Sequence, residues 1–195
     1  MARIAPPQRV SAWIRALFFV CRRRYGTVFR PLQVAAHVPG FMLPFLLTNR
    51  FAHGRAALPD STRHLAMLLV GELNRCAWCI DFGRSLADRD AREKVLHVRD
   101  FATHPAFSPA ERAALRYASE ATQIPVEVSD ATFAELRRHF SDRQIVELTF
   151  AVAIESFFNR VNAPLQIEAE GFCAFAPAPA HSYQHAAQSP PNSRA

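Results

Sequence analysis

The stretch Ser141-Asp142-Arg143-Gln144-Ile145-Val146-Glu147-Leu148-Thr149-Phe150-Ala151-Val152-Ala153-Ile154-Glu155-Ser156-Phe157-Phe158 sets the fold class. Ser141 with Gln144 three residues on is a capping box, in which two side chains satisfy backbone N–H groups that a helix start leaves unpaired. The run behind it is apolar almost all round the helical circumference. That pattern predicts a central helix over Ile145 to Phe158, covered on several sides, with a second subunit among the candidate covers. Ser108-Pro109-Ala110-Glu111 gives the same start signal, with Pro in the first turn, ahead of Ala113, Leu115, Tyr117 and Ala118. Asp130 reads as the cap of a helix over Phe133 to Phe140. Asp60 or Ser61 reads as the cap of another through Leu65, Met67, Leu68 and Leu69, with a further helix from Ala77 to Asp90. Residues 9–24 put Val10, Ile14, Leu17, Phe18 and Cys21 on one side and end in Arg22-Arg23-Arg24, charges suited to a helix C-terminus. Pro31 opens a short helix that Pro39-Gly40 stops before the apolar Phe41 to Phe51 stretch. No segment shows convincing strand alternation, so the chain is expected to be all-α.

Composition agrees with one globular domain carrying an arm and a tail. Of 195 residues 50% are hydrophobic and 21% charged, with 6 glycines, which disfavours both a disordered chain and a turn-rich β protein. The longest apolar runs fall short of the roughly 18–20 residues that cross a bilayer, and no transmembrane helix is expected. The net charge of +6 is uneven: residues 1–60 hold nine Arg and a single acid, Asp60, while the remainder is slightly acidic. Residues 1–24 are read as a basic arm, 25–175 as the helical domain and 176–195 as a tail. The tail's Pro, Ala, Ser, Gln and His cannot offset an ordering entropy of about 1–2 kcal/mol per residue, so disorder is expected there. The arm's guanidinium groups suit carboxylate or phosphate. Docking on acidic protein surface is favoured, and no nucleic acid is expected.

Four cysteines are present, Cys21, Cys76, Cys79 and Cys173. The apolar Ala16 to Cys21 run is followed, not preceded, by its arginines, which is the wrong flank for a signal peptide, and a reducing cytoplasm is the expected compartment. There a Cys-x-x-Cys pair points to redox chemistry or metal binding, with two inert buried thiols as the bland alternative. Zinc needs a second pair that Cys21 and Cys173 do not make. Covalent haem is excluded because Ile80, not His, follows Cys79. His37, His53, His97, His104 and His139 form no spaced ligand set, so no metal or other cofactor is called for. A spacing of three puts both sulfurs on one helical face, within disulfide reach. At a helix N-terminus the dipole would favour Cys76 as the more acidic thiol.

The run Leu73-Asn74-Arg75-Cys76-Ala77-Trp78-Cys79-Ile80-Asp81 resembles the cysteine motif of the AhpD-like branch of the carboxymuconolactone decarboxylase family. The layout of the surrounding helices, over about residues 25–172 and through Phe157-Phe158-Asn159-Arg160, is similar too. The resemblance implies an all-helical, AhpD-like domain that associates into a homo-oligomeric bundle, with the cysteine pair in a pocket near the subunit interface. In the family's peroxidases the second cysteine meets the hydroperoxide and the first resolves the sulfenic acid. That order maps onto Cys79 and Cys76, against the dipole argument. The family's Glu twelve residues before the first cysteine is here His64, and its His four residues after the second is Gly83. Proton handling therefore falls to His64, Glu72 or Asp81. Trp78 could shield a disulfide, and Asn159-Arg160 could line the pocket. The expected activity is a thiol oxidoreductase that reduces hydroperoxide, or another small molecule, and is recycled by a dithiol protein. The alternatives are a non-catalytic or redox-sensing interaction protein using the basic arm, and a pocket reused without thiol chemistry.

Overall fold

The computed structural model describes residues 2–177. The tail expected over 176–195 lies outside them except for its first two residues. In chain order the helices are α1 (Ala12–Tyr25), α2 (Arg30–Ala35), α3 (Met42–Ala52), α4 (Asp60–Leu73), α5 (Ala77–Ser85), α6 (Arg92–Leu96), α7 (Pro109–Ala121), α8 (Asp130–His139) and α9 (Asp142–Asn162), with 3-10 turns at Pro39–Phe41 and Val98–Asp100. All regular elements among the described residues are helical, the all-α class expected.

Local chemistry sets the helix ends. Ser108 Oγ accepts the Glu111 N–H while the Glu111 carboxylate accepts from Ser108 N–H, and Ser141 and Gln144 do the same for α9. Several expected boundaries move, among them the start of α1, from residue 9 to Ala12. The cap of α8 is Ser129, whose Oγ accepts the Thr132 N–H at 3.2 Å, and Asp130 instead occupies the first turn, where its charge suits the helix dipole. Pro59 precedes α4, and Asp60 begins it with its carboxylate 2.7 Å from Arg63. Helix α5 ends at Ser85, not Asp90: the Leu86 N–H turns back to Gly83 O, and Asp88 accepts the Ala91 N–H on the approach to α6.

Helix α4 packs against α9, α7 and α5. Its Leu65, Leu68, Leu69 and Val70 join Leu115, Leu136 and Leu148 in the main core. Each such leucine contributes about 1.5–3 kcal/mol on leaving water. A separate cluster, with Ile14, Leu32 and Met42 at its centre, ties α1 and α2 to the start of α3. Helix α9 is central but not covered all round: Leu148 and Val152 are buried while Val146 and Phe150 are exposed. The Phe150 ring meets Phe51 of α3 edge-on at 5.7 Å.

Candidate active site

The junction of α4 and α5 is built to turn sharply. Arg75 adopts a left-handed conformation at φ +53°, which costs a residue with a Cβ about 1–2 kcal/mol. The Cys76 N–H then returns to Gly71 O at 3.0 Å. Cys76 is extended and caps α5, its sulfur accepting the Cys79 N–H at 3.4 Å. The Cα atoms of Cys76 and Cys79 stand 5.2 Å apart and the two sulfurs form a disulfide.

The two sulfurs differ in access. Cys76 is fully buried, whereas Cys79 lines a cavity of about 630 Å³. Phe29, Phe45, Met67, Phe82 and Phe158 supply apolar walls, and Cys21 and Tyr25 bring the end of α1 into the lining. Burial pushes the Cys21 thiol up from its ordinary value. At the Cys79 end three polar residues of α9 converge. Asn159 Nδ2 donates to Cys79 Sγ at 3.1 Å and to Glu155 Oε1 at 2.6 Å, and Asn162 Nδ2 reaches the same sulfur at 3.5 Å. Asn74 holds Asn159 through its Oδ1 at 3.0 Å. Glu155 is buried and faces the cavity. Burial pushes its carboxyl up to about 7, with the Asn159 bond pulling the other way.

The residues singled out from sequence take different places. His64 lines the cavity, and its Nε2 is 2.6 Å from Gly83 O. A carbonyl only accepts, so Nε2 carries the hydrogen and Nδ1 is the basic nitrogen. Burial lowers the His64 pKa, opposed by the Gly83 bond and the Asp88 charge. Positions 64 and 83, at which the resemblance sets a Glu and a His, are thus in direct contact. Glu72 does not line this cavity; its carboxylate pairs with Arg84 at 2.7 Å, joining the ends of α4 and α5. Asp81 is buried, and its Oδ2 accepts the N–H groups of Glu170, Gly171 and Phe172 at 2.8–3.1 Å while Oδ1 accepts that of Cys173 at 3.0 Å. It anchors the segment after α9 onto α5. Trp78 stacks on Phe82 at 5.0 Å, and its indole N–H donates to Glu170 at 2.6 Å. Arg160 is exposed, as are Arg22, Arg23 and Arg24. Glu155 and Asn162 escaped the sequence reading. Their signal is the spacing 155, 159, 162, which lays three polar side chains along one face of an apolar helix.

Residues 42–120 match the model of the carboxymuconolactone decarboxylase family. The matched segment contains the Cys76–Cys79 pair. Beyond the matched segment, the uncharacterized protein YnjA of Escherichia coli (strain K12) is 29% identical over 173 residues, covering 87% of this chain and 95% of its own. Among solved structures, the AhpD core of an uncharacterized peroxidase-related protein from Ralstonia eutropha JMP134 superposes with a TM-score of 0.76 at 20% identity, over 88% of this chain and 94% of that one. The debrominase Bmp8 superposes with a TM-score of 0.74 at 21% identity, over 86% and 92%. These likenesses establish the AhpD-like fold. Among the described residues no helix is long and apolar enough to cross a membrane.

Proposed function

We propose that this protein is a cytoplasmic, homo-oligomeric thiol oxidoreductase that reduces organic hydroperoxides through the Cys76–Cys79 pair and is recycled by a dithiol protein. The observation that carries the reading is the joined pair with unequal access: Cys79 faces the cavity and Cys76 lies sealed behind it. In the reduced protein the Cys79 thiolate attacks the terminal oxygen of the hydroperoxide. The S–O bond forms, the O–O bond breaks, and the alkoxide leaves as the alcohol after gaining a proton. Cys76 then attacks the Cys79 sulfenic acid, forming the disulfide and releasing water. Two thiols of the reductant restore both cysteines, entering at Cys79 because that sulfur is the accessible one.

The amide donors of Asn159 and Asn162 favour the Cys79 thiolate, which supports Cys79 over the helix-capping Cys76 as the attacking group. Apolar walls suit a hydroperoxide with an apolar organic group. Asn162 Oδ1, buried without a hydrogen-bond partner among the described residues, offers an acceptor to the hydroperoxide O–H. Of the three proton handlers expected from sequence, His64 lines the cavity, while Glu72 and Asp81 fix α5 from outside it. Leu43, Leu47 and Phe51 of α3 and Val146 and Phe150 of α9 are exposed, with Phe51 against Phe150, and such apolar surface supports association with further copies.

Consumption of cumene hydroperoxide with dithiothreitol as reductant tests the reading. Turnover by the wild type and its loss in Cys79→Ser support it. A wild type that consumes no hydroperoxide, or a Cys79→Ser variant as active as the wild type, refutes it.

A further inference from the structure

Glu155 is an acid buried beside the attacking sulfur, with no cation paired to it among the described residues. Its carboxylate takes the Asn159 amide at 2.6 Å, and the same nitrogen lies 3.1 Å from Cys79 Sγ. Gly71 of α4 lies against both side chains: a Cβ there would make ordinary contact, 3.5 Å from Cys79 Cβ and 3.7 Å from Glu155 Oε1. Several of the other ionisable groups around the cavity are engaged elsewhere. From α4, Arg63 donates to Gly54 O and to Asp60, and His64 donates to Gly83 O. From α5, Asp81 is taken up by residues 170–173. Beyond α3, His53 is lowered by burial and by the Arg63 and His64 charges, and Asp88, after α5, accepts from Ala91 N–H.

We propose that Glu155 exchanges a proton with Cys79 and with the leaving oxygen of the substrate, the two side chains holding one proton between them in the reactive state. The proposal deepens the oxidoreductase reading and rests on it for the substrate. The Glu155 carboxylate takes the S–H proton. The thiolate then attacks the terminal oxygen, the O–O electron pair departs on the alkoxide, and the alkoxide takes the proton from Glu155. Alcohol and Cys79 sulfenic acid result, with Glu155 again a carboxylate. In the second step the Cys76 sulfur displaces hydroxide from Cys79, and the Cys76 proton completes the water. Burial supports the assignment, because a carboxyl poised near neutrality can move a proton both ways. His64 is less suited, since its hydrogen is committed to a backbone carbonyl and its lowered pKa leaves it a base without a proton to give.

The test compares two reagents on the reduced wild type and on the Glu155→Gln and Glu155→Asp variants, read at the Cys79 peptide by mass spectrometry across the neutral range. Cumene hydroperoxide needs a proton for its leaving group, whereas iodoacetamide expels iodide and needs none. Glu155→Gln should slow the hydroperoxide reaction about 100-fold or more and abolish its decline on the alkaline side. The same change removes a carboxylate from beside the thiolate. The alkylation midpoint should move down by about one to two pH units, making iodoacetamide faster at neutral pH. Glu155→Asp keeps an acid and should recover part of the hydroperoxide rate. Structural damage would slow both reagents together, and that result, or two unchanged profiles, overturns the proposal. If the wild type ignores hydroperoxide, the oxidoreductase reading fails on its own and the alkylation profiles still decide: a shifted midpoint keeps the shared proton, and superposed profiles remove it.

Discussion

Replacing Glu155 by Gln should stabilise the disulfide form of the protein in mild alkali and leave it unchanged in acid. The folded carboxyl titrates at about 7 against an ordinary 4.5, raised by burial. Between those values the unfolded chain gives up a proton that the folded chain keeps, so stability falls as pH rises from 4.5 through 7, and the full cost is present above 7. At 1.36 kcal/mol per pH unit the cost is about 3 kcal/mol. Gln accepts the same Asn159 amide and does not ionise, so the variant avoids this cost. Urea unfolding without reductant measures it, with every other titrating group common to both proteins. The gain should be about 3 kcal/mol near pH 8 and should close toward pH 4. A gain below about 0.5 kcal/mol at pH 8, or one that does not vary with pH, would refute the reasoning.

Two further substitutions probe the scaffold. Asp81→Asn leaves a single oxygen for four backbone N–H donors and removes the charge, so about 2–4 kcal/mol of stability should go. Hydrogen exchange at residues 167–175 should rise with it, and a loss under about 1 kcal/mol would show that the anchor contributes little. His64 is lowered below 6.5, chiefly by burial, so the unfolded chain takes up a proton first as pH falls through 6.5. Stability should drop across that window in the wild type, and His64→Gln should flatten the slope there; an unaltered slope in urea titrations would rule out His64 as its source.

The parts of this architecture that depend on neighbours in the chain were readable from it. Ser108 with Glu111 and Ser141 with Gln144 each close a local ring of hydrogen bonds, and both helices start where those residues predict. The Cys76–Cys79 spacing likewise fixed their proximity. Other features depend on residues far apart. Asp81 was open to either a chemical or a surface role, because the four N–H groups it binds come from residues 170–173, distant in sequence and carrying no motif. Glu155 sits in an apolar helix, where one acid looks like an exposed charge until α4 and α5 are seen to cover it. The end of α5 at Ser85 is not legible because no Gly or Pro follows it before α6; its stop is the backbone turn from Leu86 N–H to Gly83 O.

The measurement nearest to the central claim is mass mapping of the reduced protein after one equivalent of cumene hydroperoxide, on the wild type and on the two single cysteine variants. The account predicts a Cys76–Cys79 disulfide in the wild type, a sulfenic acid trapped on Cys79 in Cys76→Ser, and no oxidation of the remaining Cys76 in Cys79→Ser. Cys76 and Cys79 both remaining thiols in the wild type, or oxidation at Cys76 in Cys79→Ser as fast as in the wild type, would contradict it.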